Sequence, residues 1–231
     1  MLFLVLGRGK TGSLVAEVAH EHGHSVRVLG EEENHNASAL TGPFLAGFDA
    51  VIDFTTPEAV VPNLRACFAN GARVVVGTTG WYAHLDDMKA LAERKGAGFL
   101  YGTNFSIGVQ AMLRVARELA LAAPDYKFSI TETHHVSKKD APSGTALTIK
   151  QVLQAANPTL QVEITSKREG DASGIHVIEA RSQNDVIELK HEAFSRRGFA
   201  EGAVRAAEWI AGKSGVWEFG QISDQITSIS K

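Results

Sequence analysis

The sequence predicts an α/β protein in which a Rossmann-type parallel sheet is joined to a second, α+β domain built on a mainly antiparallel or mixed sheet. Three observations carry that prediction. Short β-branched runs alternate with helical patterns from Met1 to about Tyr101, the order that puts helices on both faces of a parallel sheet. The first strand feeds straight into Gly7-Arg8-Gly9-Lys10-Thr11-Gly12, a G-x-G-x-x-G turn that opens a helix. Beyond Ala122 four strand-like runs follow with one helix among them, which suits an antiparallel or mixed sheet. With 231 residues, 44% of them apolar, the chain can bury one large core or two smaller ones.

Taken in order, Leu2–Leu6 reads as a buried strand. The opening run is too short for the apolar region of a secretory signal, and no basic residues precede it. No later run approaches the roughly 18 apolar residues that suggest a membrane span. The glycines at 7, 9 and 12 allow a tight turn and let backbone approach a pyrophosphate, at the start of a helix predicted over Ser13 to His22. Gly9-Lys10-Thr11 also imitates the end of a P-loop, but the earlier glycine that loop needs falls on Leu4, inside the strand. A second strand, Val26–Leu29, ends just before Glu31, a carboxylate placed to accept hydrogen bonds from an adenosine ribose. Glu31, Glu32 and Glu33 read equally as an exposed acidic turn. Strands Ala50–Phe54 and Arg73–Val76 bring Asp53-Phe54-Thr55-Thr56-Pro57 and Gly77-Thr78-Thr79-Gly80 to the carboxyl edge of the sheet, where such folds bind ligands. Thr56 before Pro57 is also an ordinary helix cap. Gly98–Tyr101 is the fifth strand of this half.

After a helical Ile107 to Ala122 come the runs Tyr126–His135, Leu160–Ser166, Ile175–Arg181 and Val186–His191. Such a sheet rests one face on its helix and leaves the other for subunit contact. On the first run Phe128, Ile130, Glu132 and His134 share a face and His135 takes the other. Ala141-Pro142-Ser143-Gly144 then breaks the strand before a helix predicted over Thr145 to Ala156, so Lys138, Lys139 and Asp140 lie on the connecting loop. First-turn N–H groups at Gly144 and Thr145, with the positive end of the helix dipole, favour a carboxylate or phosphate, and Lys138 adds a full charge. His134, with an unperturbed pKa near about 6.5, can carry a proton at neutral pH. A Lys138–Asp140 ion pair is the plain alternative. His176 and His191, outside any convergent loop, read as structural. Adjacent histidines alternate faces on a strand and no zinc spacing is present, so no metal is expected. A net charge of −3 with scattered Lys and Arg argues against nucleic acid as a partner. The single cysteine, Cys67, reads as a buried inert thiol suited to a reducing cytoplasm.

The run His134-His135-Val136-Ser137-Lys138-Lys139-Asp140-Ala141-Pro142-Ser143-Gly144-Thr145 closely resembles the signature of the dihydrodipicolinate reductases, also called 4-hydroxy-tetrahydrodipicolinate reductases. The resemblance extends through Asp53-Phe54-Thr55, Gly77-Thr78-Thr79-Gly80, Asn104-Phe105-Ser106-Ile107-Gly108 and His191 to Ala203. It implies NADH- or NADPH-dependent reduction of a cyclic dicarboxylate, 4-hydroxy-tetrahydrodipicolinate, on the diaminopimelate route to lysine. By the same resemblance His134 is the general acid, Lys138 binds a substrate carboxylate and stabilises developing charge, and His135, Ser143, Gly144 and Thr145 hold the substrate. The cofactor would meet Gly7, Arg8, Gly9, Lys10, Thr11, Gly12, Glu31, Phe54, Thr55, Gly77, Thr78, Thr79, Gly102, Thr103, Asn104 and Phe105, the last four forming the hinge into the second domain. Only Arg8 separates Gly7 from Gly9 where the family usually has two residues, so this pyrophosphate loop is one residue shorter. The domains expected are 1–104 with 198–231 for the dinucleotide and 105–197 for substrate and assembly into a homotetramer. The competing readings are another amino-acid or hydroxy-acid dehydrogenase on the same fold, and a non-catalytic nucleotide sensor. The intact acid/base segment argues against both.

Overall fold

Residues 1–227 are described by the structure, a computed structural model. The apolar run Leu2–Leu6 forms β1, and the chain then alternates: α1 (Lys10–Glu21), β2 (Ser25–Leu29), α2 (Gly42–Leu45), β3 (Ala50–Asp53), α3 (Pro57–Ala69), β4 (Arg73–Val76), α4 (Leu85–Lys95) and β5 (Gly98–Tyr101). There follow α5 (Ile107–Ala122), β6 (Lys127–His134), α6 (Gly144–Ala156), β7 (Val162–Arg168), β8 (Ile175–Arg181) and β9 (Val186–Glu192). The described chain ends with α7 (Arg197–Ile210), β10 (Gly215–Glu218) and α8 (Phe219–Thr227). Backbone contacts divide it into two units, Met1–Ile107 with Arg197 onward, and Gly108–Arg196.

In the first unit six strands pair in parallel, in the order β10-β5-β4-β3-β1-β2. Parallel strands covered on both faces should be apolar without alternation, and β3 is buried at every position. Two cores result. Phe3, Val5, Ile52 and Leu100 face a layer that includes Ala203, Val204, Ala207 and Phe219, whereas Leu4, Leu6, Val51 and Phe99 face Leu64, Phe68 and Met88. The strand order reverses between β1 and β3, so the crevice beyond their carboxyl ends is where a sheet of this type binds ligands. Helix α1 starts at Lys10, earlier than the Ser13 expected from sequence, because the turn is confined to Gly7-Arg8-Gly9. Strand β10 had no counterpart in the sequence reading, since four residues are too few to show a period.

The second unit is a four-stranded mixed sheet in the order β7-β6-β8-β9, parallel between β6 and β7 and antiparallel elsewhere. The β6 burial alternates strictly, with Phe128, Ile130, Glu132 and His134 on the buried face. Met112 and Ala116 of α5 and Ile149 and Leu153 of α6 pack with Phe128 and Ile130 from that face. Strand β7 begins at Val162 and runs to Arg168, two residues later than expected at each end, because Leu160 is spent in a turn, its N–H bonded to the Asn157 carbonyl at 3.1 Å.

Candidate active site

The loops expected from sequence to hold a dinucleotide meet at the β1/β3 reversal. Gly12 stands so close to Gly7 that a Cβ on it would lie 2.1 Å from the Gly7 carbonyl oxygen, so only glycine closes this strand–turn–helix junction. Gly77 is covered by the Phe54 ring, which a Cβ would overlap at 2.1 Å, and Phe54 packs in turn against Phe105 with ring centroids 6.2 Å apart. Gly102 lies against Phe105 and Phe219. The predicted strand-end loops therefore touch one another. Beneath them Asp53 is fully buried and accepts hydrogen bonds from Thr55 Oγ1 at 2.6 Å, Thr78 Oγ1 at 2.9 Å and Asn63 Nδ2 at 2.9 Å. Burial drives its pKa up, and these hydrogen bonds only partly offset that. Asn63 Oδ1 accepts from Asn34 at 2.9 Å, tying the loop after β2 to the same network. The Asn104 side chain accepts from the Ser106 N–H at 2.8 Å, while Thr79 and Thr103 are exposed.

A cavity of about 650 Å³ opens here, walled by Gly7, Arg8, Gly30, Glu31, Phe54 and Thr55 among others. Of the three glutamates, Glu33 is the committed one: it accepts from the Gly30 N–H at 2.8 Å and pairs with Arg8. Glu31 is exposed at the cavity wall, and Lys10 is exposed with Thr11 half-buried at the head of α1. Glycines at the turn, an open crevice and an exposed carboxylate at its wall fit a dinucleotide.

In the second unit β6 delivers Glu132 and His134, two apart on one face, to the loop that carries Lys138. His134 is buried, with Nδ1 in contact with Glu132 Oε2. Glu132 Oε1 accepts from Arg168 Nη1 at 3.0 Å. Burial pushes the Glu132 pKa up, but hydrogen bonds from Ser166 and Arg168 and the charges of His134 and Arg168 outweigh it and leave the pKa lowered. For His134 burial lowers the pKa, Glu132 raises it and Lys138 lowers it, with a net shift down. Lys138 Nζ lies 2.8 Å from both carboxylate oxygens of Asp140, so the plain ion pair does form. His135 is half-buried beyond the strand end, with Nδ1 2.8 Å from Ser137 Oγ. Helix α6 starts at Gly144 with Ser143 as its N-cap; the buried Ser143 hydroxyl accepts from the Ala146 N–H at 3.2 Å and lies 3.2 Å from His176 Nε2. Gly144 is exposed and Thr145 half-buried at that helix start.

Sequence reading set His176 aside and passed over Glu132 and Arg168 as chemical groups. The antiparallel register places His176 opposite Glu132, its ring 5.2 Å from that of His134, and the parallel register places Arg168 opposite His134. Cross-strand register carries this convergence, and a single strand's pattern contains no trace of it. Glu132, His134 and His176 also bring metal-ligating atoms within 4.8 Å of one another, as do His22, His24 and Glu208 in the first unit. Spacing along the chain reveals neither group.

Models of the dihydrodipicolinate reductase N-terminus and C-terminus match residues 1–105 and 108–222. The chain belongs to this family. It is 33% identical to the 4-hydroxy-tetrahydrodipicolinate reductase of Christiangramia forsetii over 94% of this chain and 95% of that one. To the enzyme of the same name from Natronomonas pharaonis it is 39% identical, over 90% and 94%. Among solved structures, a dipicolinate-bound dihydrodipicolinate reductase from Paenisporosarcina sp. TG-14 matches with a TM-score of 0.78 at 25% identity, covering 97% of this chain and 99% of that one. An amine dehydrogenase from Mycobacterium smegmatis, with a TM-score of 0.67 and 11% identity over 95% of each chain, shares the fold alone.

Proposed function

We infer that this chain reduces 4-hydroxy-tetrahydrodipicolinate to tetrahydrodipicolinate, with loss of water, using a nicotinamide cofactor. The observation that carries the reading is the grouping, at one strand–loop–helix junction, of a buried imidazole backed by a carboxylate, a lysine and a capped helix start. When bound, NADH or NADPH supplies the hydride. Reduction of a conjugated ring leaves an electron-rich enamine that must take up a proton, and His134 is the donor beside that loop. Lys138 exchanges its Asp140 partner for a substrate carboxylate and stabilises charge as it develops. The Gly144 and Thr145 end of α6 receives the second carboxylate through backbone donors and the helix dipole, with Ser143 fixing that end and His135 orienting the ring.

Gly7, Gly9 and Gly12 hold the pyrophosphate with Arg8, Lys10 and Thr11 around it. Phe54, Thr55, Gly77, Thr78 and Thr79 border the nicotinamide half, as do Gly102, Thr103, Asn104 and Phe105. Glu31 takes the adenosine ribose. Because Glu33 engages Arg8, the cation best placed for a 2′-phosphate is already paired, and NADH is favoured modestly over NADPH. Operation in the cytoplasm and assembly as a homotetramer complete the proposal. Among the described residues no helix is long and apolar enough to cross a membrane.

The deciding experiment follows NADH and NADPH oxidation with freshly generated 4-hydroxy-tetrahydrodipicolinate, for the natural chain and Glu31→Ala. Turnover with both cofactors and a selective loss of NADH efficiency in the variant are expected. No substrate-dependent oxidation would reject the reaction, and an unchanged NADH efficiency would reduce Glu31 to a solvated surface charge.

A further inference from the structure

We infer that the Glu132–Arg168 ion pair is a positioning element for the whole acid/base segment, Glu132 holding the His134 imidazole by Nδ1 and Arg168 holding the backbone of the Lys138 loop. The inference deepens the function proposed above and rests on His134 being the proton donor.

A carboxylate with no exposed surface is costly unless every oxygen is paired, and Glu132 is such a group. Oε1 accepts from the Arg168 guanidinium at 3.0 Å and Oε2 stands in ion-pair contact with His134 Nδ1. The same guanidinium reaches the loop: Nε donates to the Lys138 carbonyl at 3.3 Å and Nη2 to the Asp140 carbonyl. One side chain thus links the strand carboxylate to carbonyls on either side of Lys139. Removing it would release the loop as well as unpair a buried charge.

Contact at Nδ1 selects which nitrogen can act. With Nδ1 in ion-pair contact with Glu132, delivery of a proton falls to Nε2, on the other side of the ring. Gly174 lies there at φ 153°, a backbone conformation that favours glycine, and a Cβ on it would come within 3.1 Å of Nε2. The charged and titratable groups facing His134 are Glu132 on its own strand, Arg168 at the end of β7, His176 on β8 and Lys138 in the loop. Burial, then the His134 charge, pushes His176 down to about 4, so near neutral pH it is uncharged and leaves Glu132 to His134. Glu132 is therefore the one anion among these groups that favours the protonated donor.

The test compares kcat, KM and the kcat–pH profile of Glu132→Gln, His134→Gln and the double variant. Glu132→Gln is expected to lower kcat by about 10- to 100-fold, part of the roughly 10²–10⁴ that a general acid contributes, with little change in KM. Its high-pH loss of activity should move to lower pH, because the imidazolium has lost its counter-charge. The double variant should be no slower than His134→Gln. Multiplying losses in the double variant, or an unmoved pH profile in Glu132→Gln, would overturn the positioning role and leave Glu132 as a fold-stabilising charge. A near-natural kcat for His134→Gln would instead overturn the general-acid reading, and the two failures are told apart by which single variant is silent. A readout that needs no folded Glu132 variant is ¹⁵N NMR of histidine-labelled protein, with His134→Gln assigning the resonance. Above its titration the neutral ring should carry its proton on Nδ1, and a proton on Nε2 would overturn the inference.

Discussion

Burial draws the His134 pKa below that of a free imidazole, Glu132 opposes the shift and Lys138 adds to it. The proposed role of His134 as proton donor requires its protonated form, so kcat is expected to fall as pH rises through this lowered value. In His134→Gln that limb of the profile should vanish and kcat should drop by roughly 10²–10⁴-fold with cofactor affinity retained. Stopped-flow turnover across pH 5–9, about that range, together with NADH titration by fluorescence checks both outcomes. His176 gives a separate effect on stability. Its folded pKa, near 4, lies below the ordinary 6.5 of the unfolded chain, so the unfolded state takes up a proton that the folded state refuses. Stability is thus present above about 6.5 and is lost as pH falls from there towards 4, by at most roughly 3 kcal/mol. Thermal melts across that window should show a shallower loss for His176→Gln. At this scale the placement of His134 and Lys138 was legible because a strand, a loop and a helix start frame them in one contiguous run. Glu132 appeared in the alternation only as a face-sharing residue, and His176, which lies far along the chain, gained its place only through the sheet register.

Among the elements, α6 is where a small change has a local and measurable consequence. Ser143 caps it through the Ala146 N–H and also touches His176, so Ser143→Ala removes a first-turn acceptor and loosens the end proposed to receive the carboxylate. A loss of about 1 kcal/mol is expected in urea denaturation, with the midpoint lowered and the slope unchanged. The same variant should raise KM for the dicarboxylate more than it lowers kcat. An unchanged midpoint would mean that the cap contributes nothing to the fold. Element type was readable from period and punctuation, and the break at Ala141-Pro142-Ser143-Gly144 put the start of α6 within a residue of its place. Element ends were less readable. The alternation at Leu160–Ser166 concealed a turn at Leu160, and the shifted β7 is what brings Arg168 beside His134. An ion pair made by the last residue of a strand is hidden whenever that end is misplaced by two positions.

For the molecule as a whole, the first unit is not continuous in sequence, and its energetics follow from that. The sheet made by residues 2 to 101 buries one face against Ala200, Ala203, Val204, Ala207 and Ile210 of α7 and Phe219 of α8, while β10 pairs along β5 at the sheet edge. Linear order gives no sign of this return, because a helix after a mixed sheet extends that sheet as readily as it rejoins an earlier one. Only the likeness of His191 to Ala203 to a known family suggested it. Residues 1–107 alone would leave Phe3, Val5, Ile52 and Leu100 covered on that face only by Val15, Val18 and Ala19 of α1 and by Phe105, with the area that α7 and α8 bury opened to water as an apolar patch. That fragment is expected to lack a cooperative thermal transition and near-UV circular dichroism, and to bind a hydrophobic dye. Joining it to residues 197–231 should restore both signals, since Gly198 lies against Ser106, where a Cβ would be 3.9 Å from its hydroxyl, and a short Gly/Ser linker spans the cut ends. The rejoined unit should also bind NADH, measured by fluorescence, with an affinity close to that of the whole chain, because the glycine turn and its neighbouring loops all lie within it. A cooperative transition in residues 1–107 alone would show that α7 and α8 merely cover a sheet already able to fold.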